Sequence, residues 1–159
     1  LPNDKGDIHY EAELVIHINE EYTPEKTVEQ LVDKMALGID LTLRDVQQQL
    51  KNEGYPWLLS KGFPNSAIIT DFIPFPGVTQ CTEKDFTLEI NDEVVQVGNV
   101  SQMMFSIHTL IKYIGTNLGL NKGDIIFTGT PSGVGPLKDN DHLTLKWGDE
   151  ILGHCTVKF

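Results

Sequence analysis

The sequence predicts an α+β fold: short strands in the majority, a few short helices scattered among them, and no repeating strand–helix–strand order. Three observations lead there. The chain opens on a long stretch with strand alternation, two tight-turn hairpins follow later, and only three segments keep apolar residues at helical spacing.

Residues 8–18 form the first strand. Ala12, Leu14, Ile16 and Ile18 make its core face, while Glu11 and Glu13 share the other, because residues two apart on a strand point the same way. Paired carboxylates beside buried surface repel each other and resist desolvation. A hard divalent cation offsets that cost best; an edge strand with its charges in water is the other reading. Thr23-Pro24-Glu25 then starts a helix with a capping hydroxyl, a first-turn proline and an acid near the positive end of the dipole. Val28, Leu31, Val32 and Met35 continue that helix on one apolar face.

Leu37 to Leu43 reads as a short strand carrying Asp40, and Arg44 to Glu53 as a helix stopped by Gly54. Pro56, Pro64, Pro74 and Pro76 make residues 55–82 mostly loop and short strand. Phe86–Ile90 and Val94–Val97 pair around Asn91-Asp92-Glu93. Ser106 caps a helix that turns Ile107, Leu110, Ile111, Ile114 and Leu118 inward and ends at Gly119. Ile125–Phe127 is a buried strand feeding a glycine-rich loop, and His142–Trp147 with Ile151–Lys158 closes the chain as a hairpin around Gly148-Asp149.

With 159 residues the chain makes one domain or slightly less, long enough to bury a core. A net charge of −11 argues against nucleic acid and anionic membrane as partners. No apolar run approaches the roughly 18 residues that cross a bilayer. Cys81 and Cys155 have no metal-ligand spacing, which points to a reducing, cytoplasmic compartment. Asn99-Val100-Ser101 matches a glycosylation acceptor, a pattern that also arises by chance. The opening Leu1-Pro2-Asn3-Asp4, without an initiator Met, suggests residues missing upstream.

Several residues have the chemistry of a site. Asp40 stands in an apolar strand where an acid needs a partner. With Glu11 and Glu13 it makes three carboxylates, a set suited to Mg²⁺, Mn²⁺ or Ca²⁺ with positions left for substrate; a salt bridge to Arg44 is the alternative. Arg44 and Gln47 lie three apart near a helix N-terminus, where guanidinium and dipole together attract a carboxylate, although a plain exposed helix start fits as well. Lys61, a lone cation in Trp57-Leu58-Leu59-Ser60-Lys61-Gly62-Phe63, is placed to stabilise developing negative charge or simply snorkels. In the loop from Gly123 to Pro136, backbone N–H groups around Gly129 and the Thr130 hydroxyl can face an oxyanion, or the glycines serve the turn alone. No Gly-Lys-Ser/Thr follows, which excludes a nucleotide loop. His9 lies on the side of Glu11 as a supporting residue rather than a general base.

Five segments, in order, resemble the fumarylacetoacetate hydrolase family, in particular its small domain-containing and bacterial isomerase members: His9–Leu14, Gly38–Gln47, Trp57–Phe63, Ser101–Phe105 and Gly123–Gly135. The resemblance implies a mixed β-sandwich roll, a homodimer, and a single catalytic domain over residues 1–159. It implies Mg²⁺ (or Mn²⁺, Ca²⁺) held by Glu11, Glu13 and Asp40, with Lys61 stabilising an enolate. Arg44, Gln47, Gly129 and Thr130 would contact a small 2-oxo or 2,4-dioxo acid that is hydrolysed, decarboxylated or tautomerised. It also implies a cytoplasmic location, or a mitochondrial one in a eukaryote. Family hydrolases and decarboxylases carry a His/Glu pair on an N-terminal lid; that segment would lie before Leu1, so the domain is expected to lack it. The alternative within the family is a catalytically impaired metal-binding or dimerisation scaffold.

Overall fold

In the computed structural model, which describes residues 1–159, the chain opens with β1 (Ile8–Tyr10), β2 (Ala12–Ile18), α1 (Val28–Leu31), β3 (Val32–Asp40) and β4 (Thr42–Leu43). Next come α2 (Arg44–Glu53), α3 (Leu58–Lys61), β5 (Ala67–Ile69), β6 (Ile73–Pro74), α4 (Val78–Thr82), β7 (Phe86–Ile90) and β8 (Glu93–Gly98). After a 3₁₀ turn at Val100–Gln102 follow α5 (Ile107–Asn117), β9 (Ile125–Phe127), β10 (Gly135–Pro136), β11 (His142–Trp147) and β12 (Glu150–Thr156). The strands form three sheets, ordered β10-β1-β4, β12-β11-β7-β8 and β5-β3-β2-β9, with β6 also on β3. The expected α+β roll with a few short helices is the fold observed. One apolar cluster of 27 buried residues runs through all three sheets. No helix is long and apolar enough to cross a membrane.

The first strand is broken at Glu11, and its neighbour is broken at Leu41. β1 pairs with β4 and β2 with β3, in different sheets, yet His9↔Thr42 and Ala12↔Ile39 keep a single register across the break. Glu11 therefore lies opposite Asp40, and the Asp40 N–H donates to the Glu11 carbonyl at 2.8 Å. β2 is flanked by β3 and β9, so neither of its edges is open, and Glu13 is only 5% exposed. That excludes the water-exposed edge strand.

The helix expected from Thr23 to Met35 is a single turn, Val28–Leu31, whose Gln30 side chain accepts from the Thr27 N–H at 2.8 Å. Val32 and Met35 belong to β3, paired with Ile18 and Ile16. Apolar residues at 28, 31, 32 and 35 fit a helix, but a strand that can pair along the whole of β2 buries the same residues and satisfies its backbone too. The Leu37–Leu43 strand is likewise longer and divided, and residues 55–82 hold two short helices besides the loops and strands. In α5, Ile107 and Ile111 are buried but Leu118 is 76% exposed, because the helix ends at Asn117 before reaching the core again.

Gly38, opposite Glu13, packs so closely that a Cβ there would sit 2.6 Å from Phe127 Cε1 and 2.8 Å from Val15 Cγ2. Gly38→Ala is expected to cost about 1–3 kcal/mol, lowering the unfolding midpoint by roughly 2–10 °C. A calorimetric scan checks this; an unchanged midpoint would mean Phe127 and Val15 can step aside.

Candidate functional site

Glu11, Glu13 and Asp40 each offer a carboxylate oxygen, and these oxygens lie within 4.8 Å of one another. Two come from the i, i+2 relation on the β1–β2 run and the third from the strand opposite. Hard oxygen donors gathered at this spacing are the set a divalent cation takes, so the residues present fit such an ion.

Two cations frame the cluster. Lys61 Nζ, carried on the short α3, donates to Asp40 Oδ2 at 2.5 Å, Thr42 Oγ1 at 2.7 Å and Glu11 Oε2 at 2.9 Å, using all three of its protons. Arg44, the first residue of α2, reaches Glu11 Oε1 with Nη2 and Gln47 Oε1 with Nη1, both at 2.7 Å. Arg44 thus pairs with Glu11, while Asp40 pairs with Lys61. Because the Gln47 oxygen is engaged, its amide NH₂ remains the free end of a side chain that is 4% exposed.

The three carboxyls have different electrostatics. Burial pushes Glu13 up to about 7; the Gly129 N–H holds it back, while the charges of Asp40 and Glu11 push further. Burial also raises Asp40, and the Lys61 contacts only partly reverse it. Glu11 feels the same burial, but donors on Lys61, Arg44 and Thr42 outweigh it and hold the carboxyl below its ordinary value. One site therefore contains an acid that stays ionised and another that shares a proton near neutrality. His9 does not join the network: its Nδ1 is buried without a partner, and burial together with Arg44 lowers its pKa.

The glycine-rich loop meets the cluster at one atom, where the Gly129 N–H donates to Glu13 Oε2 at 2.6 Å. Gly129 has φ +105°, a conformation that favours glycine. Gly133 has φ +103°, and a Cβ on it would lie 2.5 Å from the Val95 carbonyl. The loop is pinned by Thr128, whose hydroxyl and N–H both donate to the Leu14 carbonyl, at 2.9 and 3.1 Å. A cavity of about 540 Å³ begins at Gly129 and Thr130 and runs under Val100, Met103 and Phe105. None of the three carboxylates lines it; Gly129 alone belongs to both.

Of the residues singled out from the sequence, Glu11, Glu13, Asp40, Lys61, Arg44 and Gln47 form one contiguous network, joined through Gly129 to Thr130. Two further members escape a reading of the sequence. Thr42 is fully buried, donates to Glu11 Oε1 at 3.1 Å and accepts from Lys61; its place two residues after Asp40 was the available signal. Gln96, 2% exposed, accepts from the Ala12 N–H and donates to Thr130. No sequence signal marks it, because its buried position follows from the pairing of β8 rather than from its neighbours in the chain.

Residues 1–158 match the family model described as fumarylacetoacetate (FAA) hydrolase, C-terminal. Among curated relatives, the chain is 39% identical over 157 residues to the oxaloacetate tautomerase YcgM of Escherichia coli (strain K12), covering 96% of this chain and 71% of that protein. It is 38% identical over 145 residues to the mitochondrial oxaloacetate tautomerase FAHD1 of Mus musculus, covering 90% of this chain and 66% of the relative. The chain thus spans about two thirds of the length of these relatives. A crystal structure of fumarylpyruvate hydrolase from Pseudomonas aeruginosa, in complex with Mn²⁺ and pyruvate, superposes with a TM-score of 0.89 at 29% identity, covering 100% of this chain and 69% of that one.

Proposed function

The chain belongs to the fumarylacetoacetate hydrolase family, and from that premise we propose that it is a divalent-metal-dependent enzyme acting on small 2-oxo or 2,4-dioxo acids. Relatives that are oxaloacetate tautomerases make keto–enol tautomerisation the first activity to assay, with C–C hydrolysis and decarboxylation as the other reactions of the same enolate chemistry. The observation that carries the reading is the convergence of Glu11, Glu13 and Asp40 at ion-binding spacing, with Lys61 at their edge and the Gly129 loop bonded to Glu13.

Glu11, Glu13 and Asp40 are the ligands in this reading, for Mg²⁺ or Mn²⁺. When bound, the ion supplies a Lewis acid that draws charge from the 2-oxo carboxylate. Lys61 places a fixed positive charge next to the reacting carbon chain, where negative charge grows as a proton leaves or a C–C bond opens. Arg44 orients Glu11 and Gln47, and the free Gln47 amide donates to a substrate oxygen. Gly129 and Thr130 form the wall along which the substrate passes into the cavity, its 540 Å³ or so accommodating the group beyond the oxo acid. Residues 1–159 act as one catalytic domain, in a homodimer, in the cytoplasm or, in a eukaryote, the mitochondrion. The strongly exposed Met104 and Phe105 at the rim of that cavity support an interface there.

Thermal unfolding with EDTA, with Mg²⁺, and with Mg²⁺ plus oxalate tests the proposal, oxalate standing in for a 2-oxo acid enolate. At a hundredfold excess over Kd, oxalate should add about 2.7 kcal/mol and raise the midpoint by roughly 5–10 °C, in the presence of Mg²⁺ alone. Stabilisation by oxalate in EDTA, or none in Mg²⁺, would overturn it.

A further inference from the structure

Gln96 lies outside the carboxylate cluster and touches both segments that build the site. Its Oε1 accepts from the N–H of Ala12, the residue between Glu11 and Glu13, at 2.9 Å. Its Nε2 donates to Thr130 Oγ1 at 2.9 Å and to the Pro131 carbonyl at 3.0 Å. This amide has only one orientation. The Ala12 N–H can meet only an oxygen and the Pro131 carbonyl only an NH₂, so a flipped Gln96 would break two buried bonds at once.

The consequence falls on Thr130. A threonine hydroxyl can ordinarily either give or take a hydrogen bond, and it rotates to suit. Here one lone pair of Oγ1 is taken by Gln96, and the Thr130 proton has no acceptor within the protein. Thr130 lines the cavity that starts at the Gly129 turn.

We propose that Gln96 is a positioning residue for oxo-acid binding: by donating to Thr130 Oγ1 it takes one lone pair of the hydroxyl and leaves the proton available to donate into the cavity, toward a substrate oxygen. Through Ala12 the same side chain ties that donor to the stretch bearing Glu11 and Glu13, so the two ends of a bound oxo acid are held in one frame. The proposal rests on the reading of Thr130 as a substrate contact.

A double-mutant cycle tests it, with calorimetric titration of oxalate into the Mg²⁺-loaded protein. In Gln96→Glu the new oxygen accepts from the Thr130 hydroxyl and turns its proton away from the cavity. Thr130→Val and Gln96→Glu should each weaken oxalate by about tenfold, and the double variant by about tenfold rather than a hundredfold. Mg²⁺ affinity, titrated alone, should stay within about threefold of wild type in all three. Losses that multiply in the double variant, or Mg²⁺ affinity falling in step with oxalate, would make Gln96 a structural strut and overturn the proposal. So would a loss in Thr130→Val with none in Gln96→Glu. No effect from Thr130→Val, with wild type binding oxalate, would remove Thr130 from the substrate contacts and the proposal with it, leaving the metal-dependent reading intact. Failure of the wild type itself to bind oxalate would overturn both. If the glutamate variant does not fold, Gln96→Met removes the donor without supplying an acceptor; oxalate should then weaken by less than about tenfold in the single variant, and the double variant should lose no more than Thr130→Val alone.

Discussion

Glu13→Gln is expected to abolish divalent-metal binding and, with it, turnover. The amide keeps the shape of the carboxyl and its oxygen still accepts from the Gly129 N–H, so the fold has little reason to change. What disappears is one of three anionic oxygens within 4.8 Å. Loss of a direct carboxylate ligand should weaken Mg²⁺ or Mn²⁺ by at least about a hundredfold, more than loss of an outer partner does. Calorimetry at about pH 8 checks this, above the value near 7 at which burial holds Glu13. Affinity unchanged from wild type would remove Glu13 from the ligand set.

The same carboxyl makes metal binding and stability depend on pH. Below about 7 a proton competes with the ion for Glu13, so apparent metal affinity should fall by up to about tenfold per pH unit as the solution is acidified. In metal-free protein the linkage runs the other way. A carboxyl whose folded pKa is raised from 4.5 to about 7 contributes no penalty below the lower value and destabilises the fold as pH rises through the upper one. The loss is on the order of 3 kcal/mol between those limits. Glu13→Gln should flatten that slope, which urea titrations in EDTA at several pH values would measure.

Lys61→Met should lower kcat by about 10²–10³, the scale on which removing a fixed donor to a developing oxyanion acts. Metal affinity should not fall with it. Lys61 Nζ bonds to Glu11 Oε2 and Asp40 Oδ2, so its removal frees ligand oxygens and takes a positive charge away from the cation site. The metal-free variant should be less stable, because two half-buried carboxylates lose a shared partner, and Mg²⁺ should restore much of the loss. Parallel measurement of kcat and Mg²⁺ affinity separates these effects. Wild-type kcat in Lys61→Met would restrict the lysine to a structural role.

The acids of the site are legible in the sequence because an acid among apolar strand residues stands out at its own position, and Glu11, Glu13 and Asp40 each do. Their flanking glycines, the capped helix at Ser106 and the closing hairpin are legible for the same reason: each is a local pattern, decided within a few residues. The stretch from Thr23 to Met35 is not. Its apolar spacing satisfies a helix and a strand equally, and only the presence of β2 alongside makes the strand win.

Gln96 is the clearest case of what a chain cannot announce. Simple alternation in Val94-Val95-Gln96-Val97 turns Val95 and Val97 inward and leaves Gln96 outward with Val94. Instead the β7–β8 register shifts at Leu88/Glu89, Gln96 comes to lie opposite the buried Leu88, and Val94 and Val97 are 56% and 48% exposed. A one-residue slip in pairing exchanges the two faces of a strand, and nothing in either strand taken singly records it. The residue order alone sets which chemical groups the protein possesses, and it marks Glu11, Glu13 and Asp40 as acids among apolar strand residues. Pairing and packing bring Asp40 to face Glu11 across a shared register, make Lys61 rather than Arg44 the residue that joins the two, and set the Gln96 amide against the Thr130 hydroxyl. Those are distances between strands and loops far apart in the chain, and they exist only once the backbone has paired and the core has closed around it.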